Sequence, residues 1–208
     1  MGLFNKFINQ TRKPEGFLGK MMVNGMNGGH AKMADWGMSF LPRINPRDIV
    51  DLGCGGGRNA GALLKLYPNA VVTAVDYSEV SVEKAKTYNK KAIANGQMFI
   101  TQGDVSNLKL PESRYGLATA FETIYFWPGL EKCFAEVAKV LEPAGLFLIV
   151  NESDGRDEAS LKYEQMINGM KCHTIEEISD ALTAAGLTVM RAEHHDSKPW
   201  ISVIAKKK

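Results

Sequence analysis

Along the chain, short apolar runs alternate with longer stretches whose apolar positions recur at helical spacing. "DIVDL" (48–52), "AVVTAVD" (70–76), "QMFITQ" (97–102), "YGLATAF" (115–121) and "GLFLIVN" (145–151) have the length and β-branched content of buried strands. Between them lie helical segments. "GRNAGALLKLYP" (57–68) is stopped by Pro68. A second runs from Ser78, a residue suited to capping with Glu79 in the first turn, to about Ala94, where Asn95-Gly96 ends it. In the third, Leu130, Cys133, Phe134, Val137 and Leu141 form one apolar stripe that Pro143 stops. Upstream, residues 28–41 read as a short helix ending before Pro42. Thr174-Ile175-Glu176-Glu177 has the form of a capping box opening a helix that Gly186 ends. "LTVMRAEHH" (187–195) and "WISVIAKK" (200–207), separated by only four residues, are expected to pair antiparallel.

Strands alternating with helices imply a parallel sheet covered on both faces. The expectation is an α/β, Rossmann-like doubly wound, mostly parallel seven-stranded sheet with a C-terminal antiparallel hairpin. Residues 1–42 read as an N-terminal helical cap or lid and residues 43–208 as the domain. Ligands of such sheets bind beyond the carboxyl ends of the strands, near the switch in strand order. That rule gathers loops 53–57, 76–78, 103–106 and 121–127 into one crevice.

Composition narrows the picture a little. With 208 residues, 45% hydrophobic and 23% charged, the chain is of ordinary globular composition. A net charge of +2 singles out no polyanionic partner, and no basic-aromatic cluster points to nucleic acid. Seven Lys or Arg stand against three Asp or Glu in residues 1–50, a solvated surface before anything else. Cys54, Cys133 and Cys172 show no metal-ligand or disulfide spacing and favour a reducing, cytoplasmic setting. No apolar run reaches the ~18 residues of a membrane span. Leu3, Phe4, Phe7 and Ile8 form an apolar stripe suited to packing on the domain.

The candidate chemistry sits in "IVDLGCGGGRNAGALLKLYPNAVVTAVDYSE" (49–79). Gly53 and Gly55 to Gly57 let the backbone turn sharply and admit a ligand where no Cβ stands. The helix that follows presents free N–H groups and a partial positive charge, fit for a carboxylate or a phosphate. Counted from Gly53, the dinucleotide pattern G-x-G-x-x-G meets Arg58 in place of its last glycine; counted from Gly55 it reads "GGGRNA", starting two residues late. Asp51, ending the first strand, would repel a pyrophosphate and attract an ammonium group.

"VDLGCGGGRN" resembles motif I of the class I S-adenosylmethionine-dependent methyltransferases, with Asp51, Gly53, Gly55 and Gly57 in the acid and glycine positions. The resemblance covers roughly residues 45–205 and implies a function: transfer of a methyl group from S-adenosyl-L-methionine to a small, partly apolar or aromatic molecule, leaving S-adenosyl-L-homocysteine. It further implies that Asp51 and the glycine loop, Cys54 included, hold the amino-acid end of the cofactor. Asp76, ending the second strand, matches the acid that takes both ribose hydroxyls, and Tyr77, beside Ser78, matches a position that packs on adenine. "GDVSNL" resembles the adenine loop, with Asp104 and the Val105 N–H as its contacts, and in "ATAFETIYFW" Phe121 and Glu122 would flank the methionine arm. Pro143-Ala144-Gly145 stands where relatives show Pro-Gly-Gly, and no Asn-Pro-Pro-aromatic motif appears.

A carboxylate suits this cofactor in its own right, since it accepts two ribose hydroxyl hydrogens and forms charge-assisted bonds to an ammonium. The acceptor pocket is expected among His30, Trp36, Tyr125 and Trp127, with Tyr163, Met166, Met170 and His173 from the segment after the fifth strand. Methionines 21, 22, 26, 33 and 38 are adaptable lid or plain packing. The readings that compete are a nicotinamide-dependent oxidoreductase and a non-catalytic cofactor-binding regulator. No metal is expected, and the chain is read as a monomer or homodimer.

Overall fold

The computed structural model describes residues 30–208. The stripe at Leu3 to Ile8, the methionines at 21, 22 and 26, and most of the cap expected over 1–42 lie outside the described residues. A seven-stranded sheet runs in the order β3-β2-β1-β4-β5-β7-β6. Its strands are β1 (Asp48–Leu52), β2 (Val71–Asp76), β3 (Met98–Gln102), β4 (Tyr115–Phe121), β5 (Leu141–Asn151), β6 (Leu187–His194) and β7 (Ile201–Lys207). The first five are parallel; β7 runs antiparallel to both β5 and β6. The expected architecture is therefore present, and the order reverses between β1 and β4.

Alternation along the strands divides the core in two. Ile49 of β1 joins one apolar cluster while Val50 and Leu52 join the other, because successive side chains leave opposite faces. One cluster is covered by α1 (Ala31–Met38) and α2 (Arg58–Leu66), with Met33, Met38, Ala60 and Leu63 turned inward. The helix α3 (Glu79–Tyr88) adds Ala85 to that side. The other cluster is covered by α5 (Leu130–Val140), whose Cys133, Phe134 and Val137 are fully buried, and α7 (Ile175–Ala184), which supplies Ile178 and Leu182. The apolar stripes read from the sequence are the faces that meet the sheet.

Three local differences have physical causes. The helix expected from 78 to 94 breaks at Asn89 into α3 and α4 (Lys90–Ala94). There the Asn89 amide donates to the carbonyls of Gly57 (2.9 Å) and Ala85 (3.1 Å), a contact 32 residues long that local spacing cannot reveal. The strand β5 begins at Leu141, four residues early: Leu141 pairs with Tyr115, and pairing resumes only at Leu146. Pro143 sits in that irregularity, where no ladder donor is required of it, and Ala144 takes φ +63°. A glycine at this turn would avoid a left-handed cost of about 1–2 kcal/mol. Finally, α6 (Glu158–Met166) was not foreseen; it buries no residue, so it shows no apolar stripe, although Asp157 caps it by accepting from the Ser160 N–H at 2.8 Å. Ser78 and Thr174 cap their helices as read, Thr174 within a complete capping box.

Candidate functional site

The carboxyl ends of β1, β2, β3 and β4 surround a cavity of about 290 Å³, and all four expected loops contribute to its wall. The glycine loop after β1 forms one side. Gly53, Gly55 and Gly57 hold φ of +72°, +52° and +80°, and the Gly53 and Cys54 N–H groups both donate to the Val75 carbonyl. The glycines serve different ends. A Cβ on Gly53 would lie 2.0 Å from Thr123 Oγ1, and one on Gly57 would lie 2.5 Å from the Asn89 amide and 2.9 Å from Ala85. Of these three, only at Gly55 would it meet open space, so Gly55 is where the loop leaves its backbone open to the cavity. Gly53→Ala is therefore expected to lower the melting temperature by several degrees, since the left-handed backbone and the Thr123 collision each cost on the order of 1 kcal/mol or more. Differential scanning calorimetry measures this; an unchanged midpoint contradicts it. Cys54 is buried, and burial, followed by the nearby Asp76 and Asp51, pushes its thiol well above the ordinary range, so it offers no thiolate nucleophile.

Asp76 ties two of these loops together. Its Oδ2 accepts from the Gly55 N–H and its Oδ1 from the Ser78 N–H, both at 2.8 Å. Each oxygen retains a lone pair, and the residue lines the cavity. Burial raises its pKa while those two N–H bonds oppose the rise. Tyr77, 55% exposed, lies on the rim. Ser78 is buried as the cap of α3 and lies behind the wall; Ser81 lines it instead. Asp104 and Val105 are on the wall, with Asp104 Oδ1 accepting from the Ser106 N–H and hydroxyl at 2.8 Å each.

Asp51 is 1% exposed and also sits behind the wall. Its Oδ1 accepts from the Thr119 hydroxyl at 2.8 Å, but Oδ2 is buried without a hydrogen-bond partner. Burial pushes its pKa up to about 7, against the Thr119 bond and with help from Asp76. An ionised carboxylate buried this way calls for a cation, and an ammonium group suits it.

On the far side, Phe121, Glu122, Thr123, Phe126 and Trp127 close the wall. Trp127 stacks on Phe147 at 6.4 Å and donates from Nε1 to Thr123 Oγ1, so it is at once core and lining. Burial pushes Glu122 up to about 7. His30, at the start of α1, also lines the cavity. Six of the eight expected acceptor-pocket residues do not, the half-buried Met170 among them. Trp36 packs with Phe40, His195 and Trp200, away from the wall. Tyr125 is buried behind Glu122, its hydroxyl donating to Oε1 at 2.9 Å and accepting from the Ser153 N–H. Tyr163 and Met166 are exposed on α6, and His173 is buried elsewhere. Met33 and Met38 are core. Sequence reasoning overlooked Arg58, Asn59 and Ser81 on the wall; each lies within a turn of a helix start that faces the crevice, and that placement was the available signal.

The acid-and-glycine loop at the reversal of this sheet lies in the part of the chain that is similar to methyltransferases. Residues 49–145, just under half of the chain, match the family model described as a methyltransferase domain. A sterol methyltransferase-like 2 protein of Botryococcus braunii is 29% identical over 136 residues, which is 64% of this chain and 35% of that protein. The chain spans less than half the length of the sterol methyltransferase relatives it matches. Among solved structures, a chain from the complex of the Haloferax volcanii Trm112 methyltransferase activator with a methyltransferase superposes with a TM-score of 0.82 at 18% identity, covering 90% of this chain and 93% of that one. The geranyl diphosphate C-methyltransferase of Streptomyces coelicolor, solved with S-adenosyl-L-homocysteine, gives 0.75 at 12% identity over 94% of this chain and 86% of its own.

Proposed function

We propose that the chain binds S-adenosyl-L-methionine in this cavity and transfers its methyl group to a small, partly apolar or aromatic acceptor. The observation that carries the reading is Asp76: one carboxylate, at the end of β2, both lines the cavity and braces Gly55, the one motif glycine that faces open space. The residues present fit the cofactor. Asp76 would accept the ribose hydroxyls, Asp104 and the Val105 N–H would meet adenine with Tyr77 against its face, and the unpartnered Asp51 Oδ2 would answer the ammonium group through the loop of Gly53 and Cys54. When bound, the cofactor supplies an electrophilic methyl carbon.

The chain's task is then to hold the nucleophile in line with that carbon, since positioning alone reaches effective molarities of about 10⁵–10⁸ M. Phe121, Phe126 and Trp127 offer an apolar wall for the acceptor, in keeping with relatives named for sterols. Three unpaired cysteines support a cytoplasmic setting, and no helix among the described residues is long and apolar enough to cross a membrane.

Isothermal calorimetry against S-adenosyl-L-homocysteine and NADH tests the reading. Micromolar binding of the first and none of the second is expected; the reverse would return the nicotinamide alternative. Turnover on a panel of hydroxyl, amine and sterol acceptors with radiolabelled cofactor then distinguishes an enzyme from a binding regulator.

A further inference from the structure

His30 occupies the N-cap of α1 yet makes no capping hydrogen bond with its side chain, although Ser, Thr, Asp and Asn are the residues that serve a helix there. Its ring is turned to other partners. Nδ1 lies 3.2 Å from Glu152 Oε2 and 3.5 Å from Glu122 Oε2, within ion-pair reach of both, and it is buried and aligned for a hydrogen bond with neither. Glu122, at the end of β4, holds φ +57°. Left-handed backbone costs a residue with a Cβ about 1–2 kcal/mol, and such strain collects where surrounding structure holds it for a function. Here the hold is visible: Glu122 Oε1 accepts from the Tyr125 hydroxyl and from the Glu152 N–H, which leaves Oε2 for His30.

Position matters as much as contact. His30 and Glu122 line the cavity beside β4 and β5, across β1 from β2, which carries Asp76, and from the loop after β3, which carries Asp104. They therefore stand on the acceptor's side of the proposed cofactor. A hydrogen on Nδ1 would face both carboxylates and would leave the lone pair on Nε2. Glu152 and Glu122 also raise the imidazole's pKa against the opposing effect of burial, while His30 holds Glu152 low.

We propose that His30 is the general base of the methyl transfer, taking through Nε2 a proton from an acceptor hydroxyl or ammonium, with Glu122 and Glu152 as its positioning residues. The inference rests on the cofactor reading above and deepens it by naming the acceptor's reactive class. The step balances: the acceptor's X–H hydrogen passes to Nε2, the pair it leaves forms the bond to the methyl carbon, and the pair of the broken S–CH₃ bond stays on sulfur. The imidazolium that results sits between two carboxylates, the arrangement that best tolerates its charge.

The test uses the full chain saturated with S-adenosyl-L-homocysteine. His30→Gln identifies the His30 signals among the four histidines in ¹⁵N-edited NMR titrations. The neutral ring is expected to carry its hydrogen on Nδ1, with a midpoint that falls by about one unit in Glu152→Gln. Lys198 and the Tyr125 hydroxyl, which face the two carboxylates, remain in every variant. A hydrogen on Nε2, or an unmoved midpoint, overturns the proposal. With an acceptor from the panel, His30→Gln should lower kcat about 10²–10⁴-fold while leaving the affinity for S-adenosyl-L-homocysteine within about twofold. Glu152→Gln should shift the acidic limb of the kcat profile to lower pH, because a neutral base then persists further into acid. Undiminished turnover in His30→Gln overturns the assignment. So does stoichiometric Mn²⁺ or Zn²⁺ binding lost in that variant, for the cluster would then hold a metal. Failure of the wild type to bind S-adenosyl-L-homocysteine at all would instead sink the cofactor reading, and this inference with it.

Discussion

Asp76→Ala is expected to weaken S-adenosyl-L-homocysteine binding by about 10²–10⁴-fold in calorimetry. In the proposed complex two hydrogen bonds from ribose hydroxyls to an ionised acceptor would be lost, at ~1.5–3 kcal/mol each. The same change removes the acceptor of the Gly55 and Ser78 N–H groups, so the loop that should receive the amino-acid end loosens as well. Asp76→Asn separates the two effects. Its single carbonyl oxygen satisfies only one of the N–H donors, and its charge is gone; an intermediate loss is expected. If both variants fold, by circular dichroism, and bind within about threefold of wild type, Asp76 does not hold the ribose and the cofactor reading has lost its main support.

The balance in that experiment arises from the same economy that made the fold readable. The strands were legible because a sheet buried on both faces needs continuous apolar runs: β1 and β4 lie where "DIVDL" and "YGLATAF" place them. Whatever depended on a single distant contact was not legible. The break at Asn89 answers to the Gly57 carbonyl, and the early start of β5 answers to Tyr115. The polar helix α6 buries nothing and so leaves no periodic trace.

The candidate site divides along the same line. In the loops that topology gathers, Gly55, Asp76, Asp104, Phe121 and Glu122 reach the cavity wall, whereas Gly57 and Ser78 do not. Aromatic residues chosen by type fared unevenly: Trp127 is on the wall, whereas Trp36 was drawn into the cluster of Phe40 and Trp200. Glu152 went unremarked because nothing local marks it; only the pairing of β4 with β5 brings it beside Glu122.

Asp51 makes the second large prediction, and its sign follows from burial. The folded carboxyl titrates at about 7 instead of its ordinary 3.8, so between those values the folded chain holds a proton that the unfolded chain has released. Its contribution to stability is complete below about pH 4 and is lost as pH rises through about 7. Cofactor binding runs the other way, because only the ionised form attracts an ammonium group. The affinity for S-adenosyl-L-homocysteine is therefore expected to rise about tenfold per pH unit where Asp51 is mostly protonated, below pH 7, and to level off near pH 8. Glu122, also pushed to about 7 by burial, shares the stability trend, and Asp51→Asn isolates the share that is Asp51's own. The variant can still accept from Thr119 at the Oδ1 position, while the charge is gone. Its ligand-free melting temperature at pH 8 should exceed that of the wild type, its stability should depend less on pH, and S-adenosyl-L-homocysteine should raise its midpoint far less. A variant whose affinity keeps the wild-type pH slope would show that the unpartnered oxygen of Asp51 has no part in holding the cofactor.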